Sequence, residues 1–179
     1  MKRVLRLPLL TIAVTALAAC GGRMAQCDPA DVDTSGWREV TSRYRTFALT
    51  LPPAAREDSV FCMDSACGVI HVGRWNLRYD MGRMAGPGDS VPGVLGATDV
   101  RFCAVTLAGR PGHMMSGRMP ASRGYPRGRD RVARAALPLG EEEGGLYFIA
   151  DSLSERDAAE FAAAVRTLRL IPYTPPPTR

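Results

Sequence analysis

An α+β fold, an antiparallel β-sheet with one amphipathic C-terminal helix packed on it, is predicted by three features of the 179-residue sequence. Several segments before residue 110 alternate apolar and polar side chains, the period of a strand with one buried face. Leu146-Tyr147-Phe148-Ile149-Ala150 is apolar on both faces, as a central strand is. Only the stretch after Ser154 repeats its apolar residues at helical spacing. Strands first and a helix last segregate the two element types, the mark of α+β rather than α/β.

The elements follow in order. Gly21 to Gly36 is a polar, turn-rich linker, and Trp37 marks where apolar patterning begins. In Tyr44–Leu51, Phe47, Leu49 and Leu51 share one face, and Pro52-Pro53 ends the strand. A short strand is expected at Ser59–Met63. Val69–Tyr79 reads as one half-buried strand, with His71, Trp75, Leu77 and Tyr79 on one face and Arg74, Asn76 and Arg78 on the other. Residues 82–97 hold five Gly and two Pro and read as a loop. Strand patterning resumes at Asp99–Leu107, turns at Gly109-Arg110-Pro111-Gly112 and returns at His113–Met119. Arg129–Leu137 and Gly145–Asp151 pair across a turn holding Glu141, Glu142 and Glu143. Ser154 caps the helix with Asp157 three residues on. Ala158, Phe161, Ala162, Val165 and Leu168 then form its apolar stripe, and Pro172 stops it. Pro175-Pro176-Pro177 leads out as a stiff, disordered tail. The expected layout is a signal peptide at 1–19, a lipidated N-terminus and linker at 20–36, one domain at 37–171 and the tail at 172–179.

Lys2, Arg3 and Arg6 precede a 13-residue stretch, Leu7–Ala19, interrupted only by Pro8, Thr11 and Thr15. A membrane-spanning helix needs about 20 apolar residues, so this run suits a cleaved export signal. It closes on Leu17-Ala18-Ala19-Cys20, which resembles the lipobox of bacterial lipoproteins. The resemblance implies that Cys20 becomes the acylated mature N-terminus, tethering the chain to a membrane. Gly21 and Gly22 follow, with no Asp after the Cys. By resemblance to proteobacterial lipoproteins, that implies the outer membrane, with the domain in the periplasm or at the cell surface.

The 160 residues from Cys20 onward are enough for one domain with a real core. The net charge of +5 falls once Lys2, Arg3 and Arg6 are removed: 20 Arg then face 18 Asp and Glu, a net of +2. That is no nucleic-acid signature. Cys27, Cys62, Cys67 and Cys103 remain, an even number that reads as two disulfides in an oxidising compartment. Three pairings are possible. The short Cys62–Cys67 interval favours a bridge across a tight turn, leaving Cys27–Cys103.

The strand and helix patterns also resemble the PsbP-like fold, through Tyr44-x-x-Phe47-x-Leu49-x-Leu51-Pro52, Ile149-x-x-Ser152 and Phe161-x-x-x-Val165-x-x-Leu168. That fold is shared by photosystem II extrinsic subunits and many bacterial lipoproteins. The resemblance implies a non-catalytic binding or assembly module working with an envelope protein partner.

Four candidate chemistries can be weighed. Arg118, Arg123, Arg127, Arg129, Arg131 and Arg134 cluster within 17 residues, against a lone Asp130. Arg127, Arg129 and Arg131 would share a strand face and could bind anionic headgroups. The blander and favoured reading is a charged edge strand that resists pairing, balanced by the nearby Glu run. Met81, Met84, Met114, Met115 and Met119, with His113, supply soft ligands that suit Cu(I), though methionine more often fills a core. Cys62, Cys67, His71 and Cys103 lack the two-residue step of common zinc sites, so no metal or other cofactor is expected. No G-x-S-x-G elbow occurs, only His71 and His113 could act as imidazole bases, and no catalytic residue is assigned. Non-enzymatic binding or scaffolding at the envelope is the role that the resemblance implies. The alternative is a small-ligand or metal binder using the 82–97 loop and the Met-rich turns.

Overall fold

The structure is a computed structural model that describes residues 32–58, 60, 62, 65–83, 96–141 and 143–172. Its strands are β1 (Arg38–Thr41), β2 (Phe47–Leu51), β3 (Arg56–Asp58), β4 (Ala66–Val72), β5 (Trp75–Gly82), β6 (Thr98–Leu107), β7 (Arg110–Arg118), β8 (Arg131–Gly140) and β9 (Gly144–Leu153). The helix α1 (Glu155–Arg166) follows, then β10 (Arg169–Leu170). The fold is α+β, as the sequence predicts. All strand pairs are antiparallel and form two sheets: β1-β2-β10, and a seven-stranded sheet ordered β3-β4-β5-β9-β8-β7-β6.

The helix packs against β8, β9, β2 and β6, so α1 and the small sheet cover one face of the large one. Phe47 from β2 sits at the centre. Its ring meets Tyr79 edge-on at 4.9 Å and Phe148 at 5.2 Å, joining both sheets. Ile70, Leu77, Leu137, Leu146, Phe161 and Val165 close around it, all fully buried. The apolar run Leu146–Ala150 lies in β9, fourth of seven strands, with Leu146, Phe148 and Ala150 buried in the core and Tyr147 and Ile149 half-buried on the other face.

Several boundaries differ from the sequence reading. The expected single strand Val69–Tyr79 is a hairpin, because Gly73 (φ 65°) turns the chain and pairs Val72 with Trp75. The reversal places His71 opposite Asn76, on the face away from Trp75, Leu77 and Tyr79. The strand expected at Ser59–Met63 sits earlier, at Arg56–Asp58; residues 59, 61 and 63 lie outside the described residues, and Val60 and Cys62 are not in strands. The β6–β7 turn is Ala108-Gly109, both at positive φ, and Arg110 already pairs with Leu107. The helix ends at Arg166, well before Pro172. There the Thr167 hydroxyl donates to Ala164 O (2.6 Å) and accepts from Thr50 N (2.7 Å), and Arg169-Leu170 joins β2. Most of the 82–97 loop, and the tail from residue 173, lie outside the described residues.

Candidate functional site

The densest polar arrangement is built at the start of α1. Ser154 caps the helix: its hydroxyl accepts from Asp157 N, and Asp157 Oδ2 accepts from Ser154 N, both at 3.1 Å. Asp157 is fully buried. A buried carboxylate is costly unless opposite charges and donors surround it. Here Arg129 Nη1 donates to Oδ2 at 3.2 Å, and Arg74 Nη2 stands 3.1 Å from Oδ1 as an ion pair outside hydrogen-bond geometry. The positive end of the helix favours the same negative charge.

Glu160, nearly buried, extends the network one turn along. It accepts from Trp75 Nε1 (3.2 Å), Arg74 Nη2 (3.2 Å) and Arg156 Nε (3.1 Å). Arg129 Nη2 also donates to the Arg74 carbonyl at 2.6 Å, fixing the turn that carries Arg74. Two acids, three arginines and one indole thus lock α1 to the β4–β5 hairpin and to the loop before β8. The sequence reading placed Trp75 on a strand face and assigned Glu160 no role. The available signal was Asp157 and Glu160 three residues apart on one helix face.

Beside this network lies a groove of about 760 Å³. Trp37, Pro52, Ala54 and Val72 make an apolar wall, and Arg74 and Arg156 border the opposite side with Glu160. No Ser, His or Cys lines it among the described residues. Of its acids, Glu155 and Glu160 pair with arginines and Asp33 accepts from Ser35 N, so the groove sets an apolar wall beside charge, as an amphiphilic molecule or peptide would need.

The arginine cluster is not the shared strand face that the sequence suggested. Arg131 alone of the three lies in β8, paired with Glu155 at 3.3 Å; Arg129 is tied to Asp157, and Arg127 is exposed in the loop. The edge-strand reading fails as well, since β8 lies between β7 and β9. Among the described residues the balancing acids are Asp130, which pairs with Arg118 at 3.3 Å, and the helix acids Asp157 and Glu155; Glu142 of the Glu run lies outside the described residues. Arg134 stands on the sheet face away from α1. Burial and the neighbouring Arg78 both pull its pKa below the ordinary arginine value.

The methionines divide rather than converge. Met114 packs into the main core, while Met115 and Met119 join Val132 in a small separate cluster; Met84 lies outside the described residues. His71 has both ring nitrogens engaged, Nδ1 with Asn76 Oδ1 at 2.7 Å and Nε2 with Asp58 Oδ2 at 2.6 Å, leaving neither free as a base. Among the described residues no three His, Cys, Asp or Glu side chains are grouped to hold a metal ion. Cys62 and Cys67 form a disulfide with Cα atoms 6.0 Å apart. Cys103 is fully buried and disulfide-bonded too; its expected partner Cys27, like Cys20, lies outside the described residues. No described helix is long and apolar enough to cross a membrane. The chain matches no protein-family model and shows no detectable similarity to a curated protein.

Proposed function

We propose that the chain is a lipid-anchored protein of the bacterial outer membrane, whose α+β domain binds an envelope partner without catalysing a reaction on it. The observation that carries the reading is a lipobox-like Leu17-Ala18-Ala19-Cys20 followed by a domain with oxidised cysteines. Disulfides form outside the cytosol, where an acylated export product would fold. The resemblance to PsbP-like strand and helix patterns supports a binding or assembly role. A photo-crosslinking amino acid at Ala159, on the groove, tests the role in intact cells. The reading expects one discrete adduct of protein mass there and no protein adduct from the same group at Thr106, on the edge strand β6. Equal, diffuse labelling from both positions would count against a specific partner.

The groove also favours a second reading, a carrier for a small amphiphile held between Trp37 and Arg74. In that case the adduct at Ala159 would have the mass of a small molecule rather than of a protein.

A further inference from the structure

We infer that the exposed side chains at the start of β6 form the face that the domain turns toward an anionic bilayer. The inference deepens the lipoprotein reading and rests on it. The two edges of the large sheet are unlike each other. The β3 edge is three residues long and wholly charged, Arg56-Glu57-Asp58, a guarded edge. The β6 edge is ten residues long and uncharged from Phe102 to Leu107. Four large hydrophobic side chains are exposed among the described residues, and two of them, Val100 (48%) and Phe102 (44%), are on this strand. Phe102 is held outward by stacking on His113, ring centroids 5.3 Å apart.

Charge and tether both name a membrane as the occupant. The β6–β7 hairpin, Thr98–Arg118, carries Arg101, Arg110 and Arg118 against Asp99; with Arg118 paired to Asp130, Arg101 and Arg110 still outnumber Asp99, a surplus of one suited to anionic headgroups. Cys103 follows Phe102 directly and is disulfide-bonded. Cys62 and Cys67 are bonded to each other, so the remaining cysteines are Cys20 and Cys27. An acylated, N-terminal Cys20 leaves Cys27 for the bridge. The acyl chains would then be seven residues from β6, at most about 25 Å fully extended. The strand adjoining the tether is thus the strand that exposes Val100 and Phe102.

A second copy pairing edge to edge fits less well. The ladder is irregular between Thr98 and Arg101, with Asp99 at φ 52°, and such a bulge disrupts strand addition where Val100 is displayed. The acyl chains dominate affinity, so the β6 surface sets orientation, and the test must read proximity rather than binding.

The full acylated protein is reconstituted in phosphatidylethanolamine–phosphatidylglycerol vesicles doped with a lipid carrying a photoreactive group in its acyl chain. The inference expects label on the peptide containing residues 98–107, and its loss in a Val100→Ser, Phe102→Ser variant with an unchanged thermal midpoint. Label confined to the N-terminal peptide, or crosslinks joining β6 of two copies, would overturn it. The mass of the N-terminal peptide from the same sample reports Cys20 acylation separately. An unmodified Cys20 would therefore sink the lipoprotein reading itself, distinctly from a misplaced membrane face.

Discussion

Arg129 reaches from the loop before β8 to the first turn of α1, where its Nη1 donates to the fully buried Asp157 at 3.2 Å. Removing it leaves a buried carboxylate with less compensation. Arg129→Ser is expected to lower the unfolding free energy by about 1–3 kcal/mol. Arg127→Ser, two residues away and exposed, should stay within about 0.5 kcal/mol of the parent. Urea denaturation of both variants checks the contrast.

Gly68 is required by its cross-strand neighbour. A Cβ there would lie 2.5 Å from the Tyr79 ring, which is clamped between Phe47 and the Glu57 carboxylate. Gly68→Ala therefore displaces a core aromatic, at a cost of about 1–3 kcal/mol. Thermal unfolding should show it, while Gly73→Ala, which meets no atom within 4 Å, should show only the smaller cost of its positive φ.

Tyr79 also gives the fold an alkaline limit. Burial first, and then the hydrogen bond to Glu57 and its charge, hold the phenol well above its ordinary pKa of 10.0. The folded state keeps a proton that the unfolded chain releases. The contribution is thus complete below the ordinary phenol pKa and is lost as the pH climbs beyond it. Urea midpoints should fall between about pH 9 and pH 11. Tyr79→Phe should flatten that fall, leaving the smaller part due to Tyr147, whose pKa burial also raises.

How far the fold can be read from the sequence depends on where the deciding contact lies. The central strand Leu146–Ala150 and the Ser154–Asp157 cap were legible because their signals are local: a run apolar on both faces, and two polar residues at capping distance. The β4–β5 hairpin was not, because Gly73-Arg74 interrupts a pattern whose alternation still reads as continuous. One residue of reversal moved His71 to the other face. The helix end was misplaced because Pro172 is a visible stop, whereas the actual one depends on Thr167 meeting Thr50, 117 residues away in sequence. The arginine cluster was visible as composition, but its partners Asp157 and Glu155 become neighbours only when α1 folds back on the sheet.

The Cys62–Cys67 bridge closes a short loop between β3 and β4. In the loop-entropy description it stabilises by about 2 kcal/mol. The double variant Cys62→Ser, Cys67→Ser should unfold at correspondingly lower urea, and the parent treated with a reductant under conditions that open only this bridge should match it. An unchanged urea midpoint in the double variant would show that the loop is already ordered without the bond.

The account rests on an acylated tether at Cys20. Intact-protein mass spectrometry of the membrane fraction tests it most directly. The predicted product lacks residues 1–19 and carries acyl mass on Cys20, and Cys20→Ser remains unprocessed. A mature chain with an unmodified Cys20, or one retaining its first 19 residues, would contradict the account.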